Sequence, residues 1–304
     1  MNNIISEIDQ YLIYCKKQKG LSDHTLKAYR IDLKQYTEFR QSIMLDKATL
    51  TDYIYYLHEQ FKPKTAKRKI ASLKAFTHYL YYQDKIDSNP FDKIDTGYKE
   101  PLQLPRTIPA YLIKDILSAA YKNVDRAASD RKKHINIRNT AILELLFATG
   151  ARISEICSLR PENVDLSAKT VKIFGKGSKE RIIQIENKDV LAILKKYKSI
   201  FAADIADAGF FFLNNRKKRL SEQSVRIIIQ KLEKQINSDM HITPHMFRHS
   251  VATMLLEADV DIRYIQKILG HSSITTTQIY THVTSSKQKE ILRTKHPRNK
   301  IHIN

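Results

Sequence analysis

Apolar residues that recur every three or four positions leave residues 1 to 90 one fold class. From Ser22, the stretch SDHTLKAYRIDLKQYTEF sets Leu26, Tyr29, Leu33 and Tyr36 at helical spacing behind a serine cap. TAKRKIASLKAFTHYLYY repeats the device, with Thr65 as the cap and Ile70, Leu73, Thr77 and Leu80 as the stripe. This part of the chain is expected to be all-helical.

The faces opposite these stripes are basic: Lys62, Lys64, Lys67, Arg68, Lys69 and Lys74 crowd into one short run. A charge run by itself is a solvated helix face. Here it belongs to a chain of 304 residues with 52 Lys and Arg against 32 Asp and Glu, a formal net charge of +20. That excess favours a polyanionic partner, nucleic acid first, and the run reads as a phosphate-facing surface. The two cysteines, Cys15 and Cys157, form neither a paired framework nor a CxxC site, which fits a reducing compartment. The start, MNNIISEIDQYL, has acids where a signal peptide carries bases. The run ILELLF, broken by Glu144, is too short to span a bilayer. A soluble, cytoplasmic protein with no membrane partner is expected.

The length suits two domains. TGYKEPLQLPRTIP, residues 96 to 109, carries three prolines and no periodicity and reads as a linker. The expected division is a helical domain over 1–95, a linker over 96–107 and a second domain over 108–304. In the second domain a helix near 110–122 precedes a polar stretch, KNVDRAASDRKKHINIR. A strongly apolar helix near 138–148 then stops at Thr149-Gly150. KTVKIF and ERIIQI, flanking GKGSK, predict a hairpin over 170–185. Helices are expected over 222–236, 244–257, 262–269 and 274–281. The fold class is mainly α with a small β-sheet.

The stretch TPHMFRHSVATMLLEADV, residues 243–260, places His245 and His249 four apart on one helix. Two histidines so spaced can hold zinc, but that motif needs a Glu directly after the first, and Met246 stands there. No metal is expected, and His249 is read as structural. Thr243 suits the N-cap and Pro244 the first helical position. His245 and Arg248 then share a face of the first turn, where free amides and the helix dipole favour an anion. Guanidinium and imidazole together make a phosphoryl pocket. TGARISEI adds Arg152 at the opening of a short helix, and GKGSKER sets Lys176 at the hairpin tip. LGHSSITTTQIYTHV supplies His271 and, nine residues on, Tyr280. The helix SEQSVRIIIQKLEKQI has Val225, Ile228, Ile229, Leu232 and Ile236 inward, leaving Arg226 and Gln230 outward near Arg216, Lys217, Lys218 and Arg219. DNA contacts are expected there as well as at the N-terminal basic run.

In this order, Arg152, Lys176, His245, Arg248, His271 and Tyr280 closely resemble the tyrosine recombinase (phage integrase) family, its Xer-like and short-integrase members in particular. The resemblance covers nearly the whole chain, from LSDHTLKAYRIDLKQY to the HPR near the end, although Phe247 stands where many relatives carry Leu. It implies a helical, SAM-like core-binding domain joined to a mixed α/β catalytic domain, closing as a clamp on duplex DNA. It also implies site-specific strand exchange through a 3′-phosphotyrosyl link, in integration, excision, inversion or dimer resolution. The assembly would be a homo- or hetero-tetramer on two DNA sites. Tyr280 would attack the phosphate, Arg152 and Arg248 clamp its non-bridging oxygens and His271 add a hydrogen bond. Lys176 would serve as general acid and His245 as base or relay. Because each phosphotyrosine keeps the energy of the bond it replaced, no metal, ATP or other cofactor is required. A type IB topoisomerase, a silent DNA-binding protein and a metal hydrolase are the alternatives.

Overall fold

The computed structural model describes residues 2–39, 45–97, 106–175 and 180–270. The chain divides into two compact units, Met1–Leu102 and Gln103–Asn304.

The first unit holds α1 (Asn2–Lys17), α2 (Asp23–Phe39), α3 (Lys47–Gln60) and α4 (Pro63–Tyr82), followed by a single 3-10 turn, Pro90–Lys93. Ser22 opens α2 as expected, its hydroxyl accepting from the Thr25 amide at 3.3 Å. Helix α4 begins earlier than its sequence suggested: Pro63 occupies the first turn and Thr65 lies inside the helix. A proline there loses no hydrogen bond and arrives with helical φ, so it outcompetes a threonine cap two residues on. The stripe Ile70, Leu73, Thr77 and Leu80 is buried and meets Leu33, Tyr36, Leu50 and Leu57. Tyr11 joins α1 to this core, its ring 5.3 Å from Phe76 and 5.1 Å from Tyr79.

A buried ionic cluster ties α2 to α4. Asp32, 2 % exposed, accepts from Lys69 Nζ at 3.0 Å and from the Ser72 hydroxyl at 2.8 Å, and Arg68 also donates to it. Lys69 is therefore not on the basic surface expected to face phosphate. It is 4 % exposed, with its ammonium on Asp32 and Gln35 and its charge over the Phe61 ring. Lys62, Lys64, Lys67, Arg68 and Lys74 remain exposed. Their basic face is narrower than a count of charges suggests.

The second unit runs α5 (Ala110–Asp125), α6 (Asp130–Thr149), α7 (Ile153–Cys157), β1 (Val164–Asp165), β2 (Thr170–Phe174), β3 (Glu180–Gln184), α8 (Lys188–Ile200), α9 (Ala202–Ala208), α10 (Glu222–Gln235), α11 (Pro244–Glu257) and α12 (Ile262–Leu269). The sheet is antiparallel in the order β1-β2-β3, and Ile173 pairs with Arg181. The polar stretch after α5 is mostly helix. Ser129 caps α6 through the Lys132 amide, and the first two turns, DRKKHIN, are charged because they extend past the core. The later turns bury Ile142, Leu143, Leu145 and Leu146 completely. Glu144, which interrupts that run, is buried as well; it accepts the Tyr121 hydroxyl at 2.9 Å, and burial holds its carboxyl above the usual range. Helices α8 and α9 had no counterpart in the sequence reading. The first is capped by Asn187 and packs Leu194 and Tyr197 inward. Most of the expected linker, the hairpin tip at 176–179 and the expected helix at 274–281 lie outside the described residues. No described helix is long and apolar enough to cross a membrane.

Asp32→Ala leaves the Lys69 ammonium buried without its carboxylate, which costs about 3–5 kcal/mol. Urea unfolding followed by hydrogen exchange in α2 and α4 is expected to register that loss. A change under about 0.5 kcal/mol would mean that the cluster is no tie between the helices.

Candidate active site

Helix α6 ends at Gly150, whose φ of 57° is the left-handed conformation that closes a helix without Cβ strain. A Cβ here would also lie 2.6 Å from Leu269 Cδ2, so α12 packs directly against this turn. Two residues on, Arg152 stands at the N-cap of α7. The carbonyl of Gly150 accepts from Arg248 Nη1 at 2.8 Å, and that of Leu269, the last residue of α12, accepts from Nη2 at 2.6 Å. Arg248 is 4 % exposed. One guanidinium on α11 thus fixes the turn that presents Arg152 and the end of the helix that leads to His271.

Arg152 is held from below by Glu155, one helical turn on. Oε2 of Glu155 accepts the Arg152 amide at 2.8 Å and Oε1 accepts Nη1 at 2.9 Å. The same carboxylate receives both terminal nitrogens of Arg181, at 3.2 and 2.7 Å. Burial alone would raise the Glu155 pKa. The hydrogen bonds and charge of Arg181, then those of Arg152, overcome it and hold the carboxyl below the ordinary range. Neither residue was picked from the sequence. Glu155 could have been, as the acid at the third helical position that reaches back to the N-cap amide. Arg181 gives no such signal, because an arginine in a strand is by default on the wet face.

Thr243 is the N-cap of α11, as expected, but its hydroxyl caps nothing; Pro244 takes the first turn. His245 on that turn has an exposed edge. Its pKa is lowered by partial burial of the ring and then by the charges of Arg248, Arg152 and Arg226, with Glu222 opposing. That response sets four of the site's side chains within electrostatic reach of one imidazole. His249 is half-buried, and burial followed by His245 and Arg248 lowers its pKa too, in keeping with a packing role. Among the described residues no three His, Cys, Asp or Glu side chains gather as a metal site would need. Lys176, His271 and Tyr280 lie outside the described residues.

Arg216, Lys217, Lys218 and Arg219 are exposed on the turn before α10. Two of them have internal partners as well. Lys217 pairs with Asp204 at 2.8 Å, and Arg219 donates Nε to the Cys157 carbonyl at 3.0 Å with its guanidinium 5.4 Å from the Phe210 ring. Arg226 is partly exposed and bonds Glu222 at 2.9 Å. Behind α10, a cleft of about 950 Å³ is lined by Arg126, Lys132, Arg138, Arg216 and Lys231 together with several amide side chains, and by no Asp or Glu among the described residues. Arg138 is buried at its floor. Its guanidinium meets the neutral acceptors Leu213 O, Asn215 Oδ1 and Asn139 Oδ1, and burial lowers its pKa. Sequence reasoning missed this basic cleft because its cations come from three separate segments.

Residues 113–287 match the phage integrase family, and residues 8–84 match the SAM-like N-terminal domain of phage integrases. A tyrosine recombinase of Agathobacter rectalis is 52 % identical over 306 residues, spanning 100 % of both chains. Tyrosine recombinase XerD of Halalkalibacterium halodurans is 32 % identical over 98 % of this chain and 100 % of its own. In fold, the chain is similar to the XerH site-specific recombinase bound to difH substrate, with a TM-score of 0.72 at 21 % identity over 94 % of this chain and 84 % of that one. The chain belongs to the phage integrase family, the tyrosine recombinases.

The imidazole of His245 is expected to titrate with a midpoint below the ordinary 6.5. A lowered folded-state value means that protonation opposes folding. Any stability from this ring is full above the unfolded pKa and falls as pH drops from there through the folded value. Histidine NMR titration reads it directly. Arg152→Ala is expected to move the midpoint back up, and a parent midpoint at or above 6.5 would contradict the cationic surroundings.

Proposed function

We propose that this tyrosine recombinase cuts and rejoins duplex DNA at a specific site, with Arg152, Lys176, His245, Arg248, His271 and Tyr280 as its catalytic group. The observation that carries the reading is the arrangement at the first turn of α11: Arg248 bonds the Gly150 carbonyl two residues before Arg152, and burial with the charges of Arg248, Arg152 and Arg226 lowers the pKa of His245. A phosphoryl group that gains negative charge on attack is stabilised by fixed cations and amides aimed at it before the reaction begins. Arg152, raised on the Glu155 carboxylate, supplies a planar pair of donors to a non-bridging oxygen. Arg248 spends two donors on the main chain, so its part is to aim the first turn of α11 and add charge. A neutral His245 can accept or relay the proton of a tyrosine hydroxyl, whose ordinary pKa of about 10 makes it inert alone.

In this reading Tyr280 attacks phosphorus while the 5′ oxygen leaves with a proton from Lys176. Attack of the freed hydroxyl on a partner strand's phosphotyrosine reverses the step. The bonds exchanged are equivalent, so the cycle runs without ATP or metal. Strand exchange of this kind requires two sites and four protomers, and a tetramer on DNA, of identical or paired recombinases, is the assembly proposed. The segment after Tyr280 would dock in a neighbour. A cytoplasmic place of action goes with a DNA substrate and with two free, buried cysteines.

The basic surfaces are assigned to the phosphate backbone: Lys62, Lys64, Lys67, Arg68 and Lys74 in the first unit, and Arg216, Lys217, Lys218, Arg219 and Arg226 with the cleft behind α10 in the second. Binding to nonspecific duplex is expected to weaken steeply with salt, because each neutralised phosphate releases counterions. Replacing Lys132 and Lys231 together with Ala lowers the slope of log affinity against log salt by about one to two. An unchanged slope would remove the cleft from the interface.

Tyr280→Phe deletes one oxygen and keeps the ring. The variant is expected to bind DNA as the parent does and to leave no covalent adduct with a nicked suicide substrate on a denaturing gel. Lys176→Ala is expected to cleave slowly, and a 5′-bridging sulfur, which leaves without a proton, restores it. An adduct formed by Tyr280→Phe at the same phosphate would place the nucleophile elsewhere.

A further inference from the structure

Residues on β3 alternate between the two faces of the sheet, and Arg181 shares the inward side with Ile183, which is 7 % exposed. The Arg181 side chain is itself 8 % exposed. A guanidinium on the inner face of a strand is costly unless a carboxylate meets it, and Glu155 does so with both oxygens. Three details set this pair apart from one that only stabilises.

The Glu155 oxygens that hold Arg181 are the same two that hold Arg152, so the two guanidiniums are joined through one carboxylate. Arg181 also fits closely beneath Gly270. A Cβ there would lie 2.9 Å from its Nη1 and 3.1 Å from its Cδ, at the left-handed turn that precedes His271. Lastly, the buried Nε of Arg181 has no acceptor among the described residues. Buried donors are ordinarily paired, and an unpaired one costs stability. The side chain is oriented by its carboxylate and by Gly270, at the expense of its own hydrogen bonding.

We propose that Arg181 is a positioning residue for strand cleavage, which holds Arg152 through Glu155 in the place where the scissile phosphate is clamped. The assignment rests on the proposed role of Arg152. In this role Arg181 acts through Glu155 and not on the substrate, and it holds the partly exposed Arg152 guanidinium preorganised. Displacement of such a group by a fraction of an ångström is enough to slow the chemistry while leaving DNA affinity intact.

The test is single-turnover cleavage of nicked suicide substrates by the full chain and by Arg181→Gln, Arg152→Ala and the double variant. Each is run on the ordinary phosphodiester and on a scissile methylphosphonate, which is neutral. Arg181→Gln is expected to cleave the diester about thirtyfold more slowly and to bind within about twofold of the parent. The double variant is expected to be no slower than Arg152→Ala alone, within about twofold, because the second substitution removes only what the first has removed. On the methylphosphonate, where no charge needs clamping, the Arg181→Gln deficit shrinks to about threefold or less. If Gln at 181 prevents folding, Arg181→Lys keeps a charge without the fork and is expected to lose less, with the same lack of additivity. Additive losses, an equal deficit on both substrates or a parent-like rate would each overturn the assignment. Full activity of Arg152→Ala would instead sink the site reading and this proposal with it, whereas an inactive Arg152→Ala with an additive Arg181 loss removes the Arg181 proposal alone.

Discussion

Two helices of the second unit stop against one guanidinium. The last carbonyls of any helix lack partners within it, and the macrodipole leaves that end negative. Arg248 answers both needs for α6 and α12 together, donating to Gly150 and to Leu269 from the buried side of α11. Two of the proposed site residues follow closely on those two ends. The chain that leaves Gly150 reaches Arg152 in two residues, and the chain that leaves Leu269 reaches His271 in two. Arginine suits this place because its donors diverge in a rigid plane, so two carbonyls bonded to it are held at a set separation. A lysine offers charge without that geometry.

Around this anchor the charges are unbalanced by design. Arg152, Arg226 and Arg248 all act on His245, and among the described residues Glu222 alone opposes them. Cations gathered this way repel one another until an anion arrives, which suits the phosphoryl pocket proposed for them. Glu155 tempers that repulsion from beneath. With both its oxygens shared between two arginines, it acts as the counter-ion that lets them approach.

Helices with an apolar stripe were legible from residues alone. Leu33, Tyr36, Ile70 and Leu80 recur at the helical period because one side of each helix is buried, and that burial is what the pattern records. The opening turns of α6 carry no stripe, since they project beyond the core, and a polar stretch there gave no sign of being helical. Lys69 was misplaced for a related reason: charge is visible in a sequence, but the Asp32 that draws this one lysine inward lies thirty-seven residues away. Proline at position 63 decided the start of α4 against the more familiar threonine cap. In the site, Arg152, His245 and Arg248 could be found because each opens or follows a helix end with its own local signature. Arg181 could not, because its meaning comes from a contact with Glu155 across twenty-six positions and two elements.

The acceptors that Arg248 uses are main-chain oxygens, and this shapes how the chain can drift over generations. A codon change at position 269 alters the side chain and leaves its carbonyl in place. The half of the contact that belongs to the backbone is thus insulated from ordinary substitution, and the exposure to mutation falls on Arg248 itself and on Gly150, where a Cβ has no room. Divergent sequences can then rebuild the surrounding helices extensively while the anchor of the site survives on two positions.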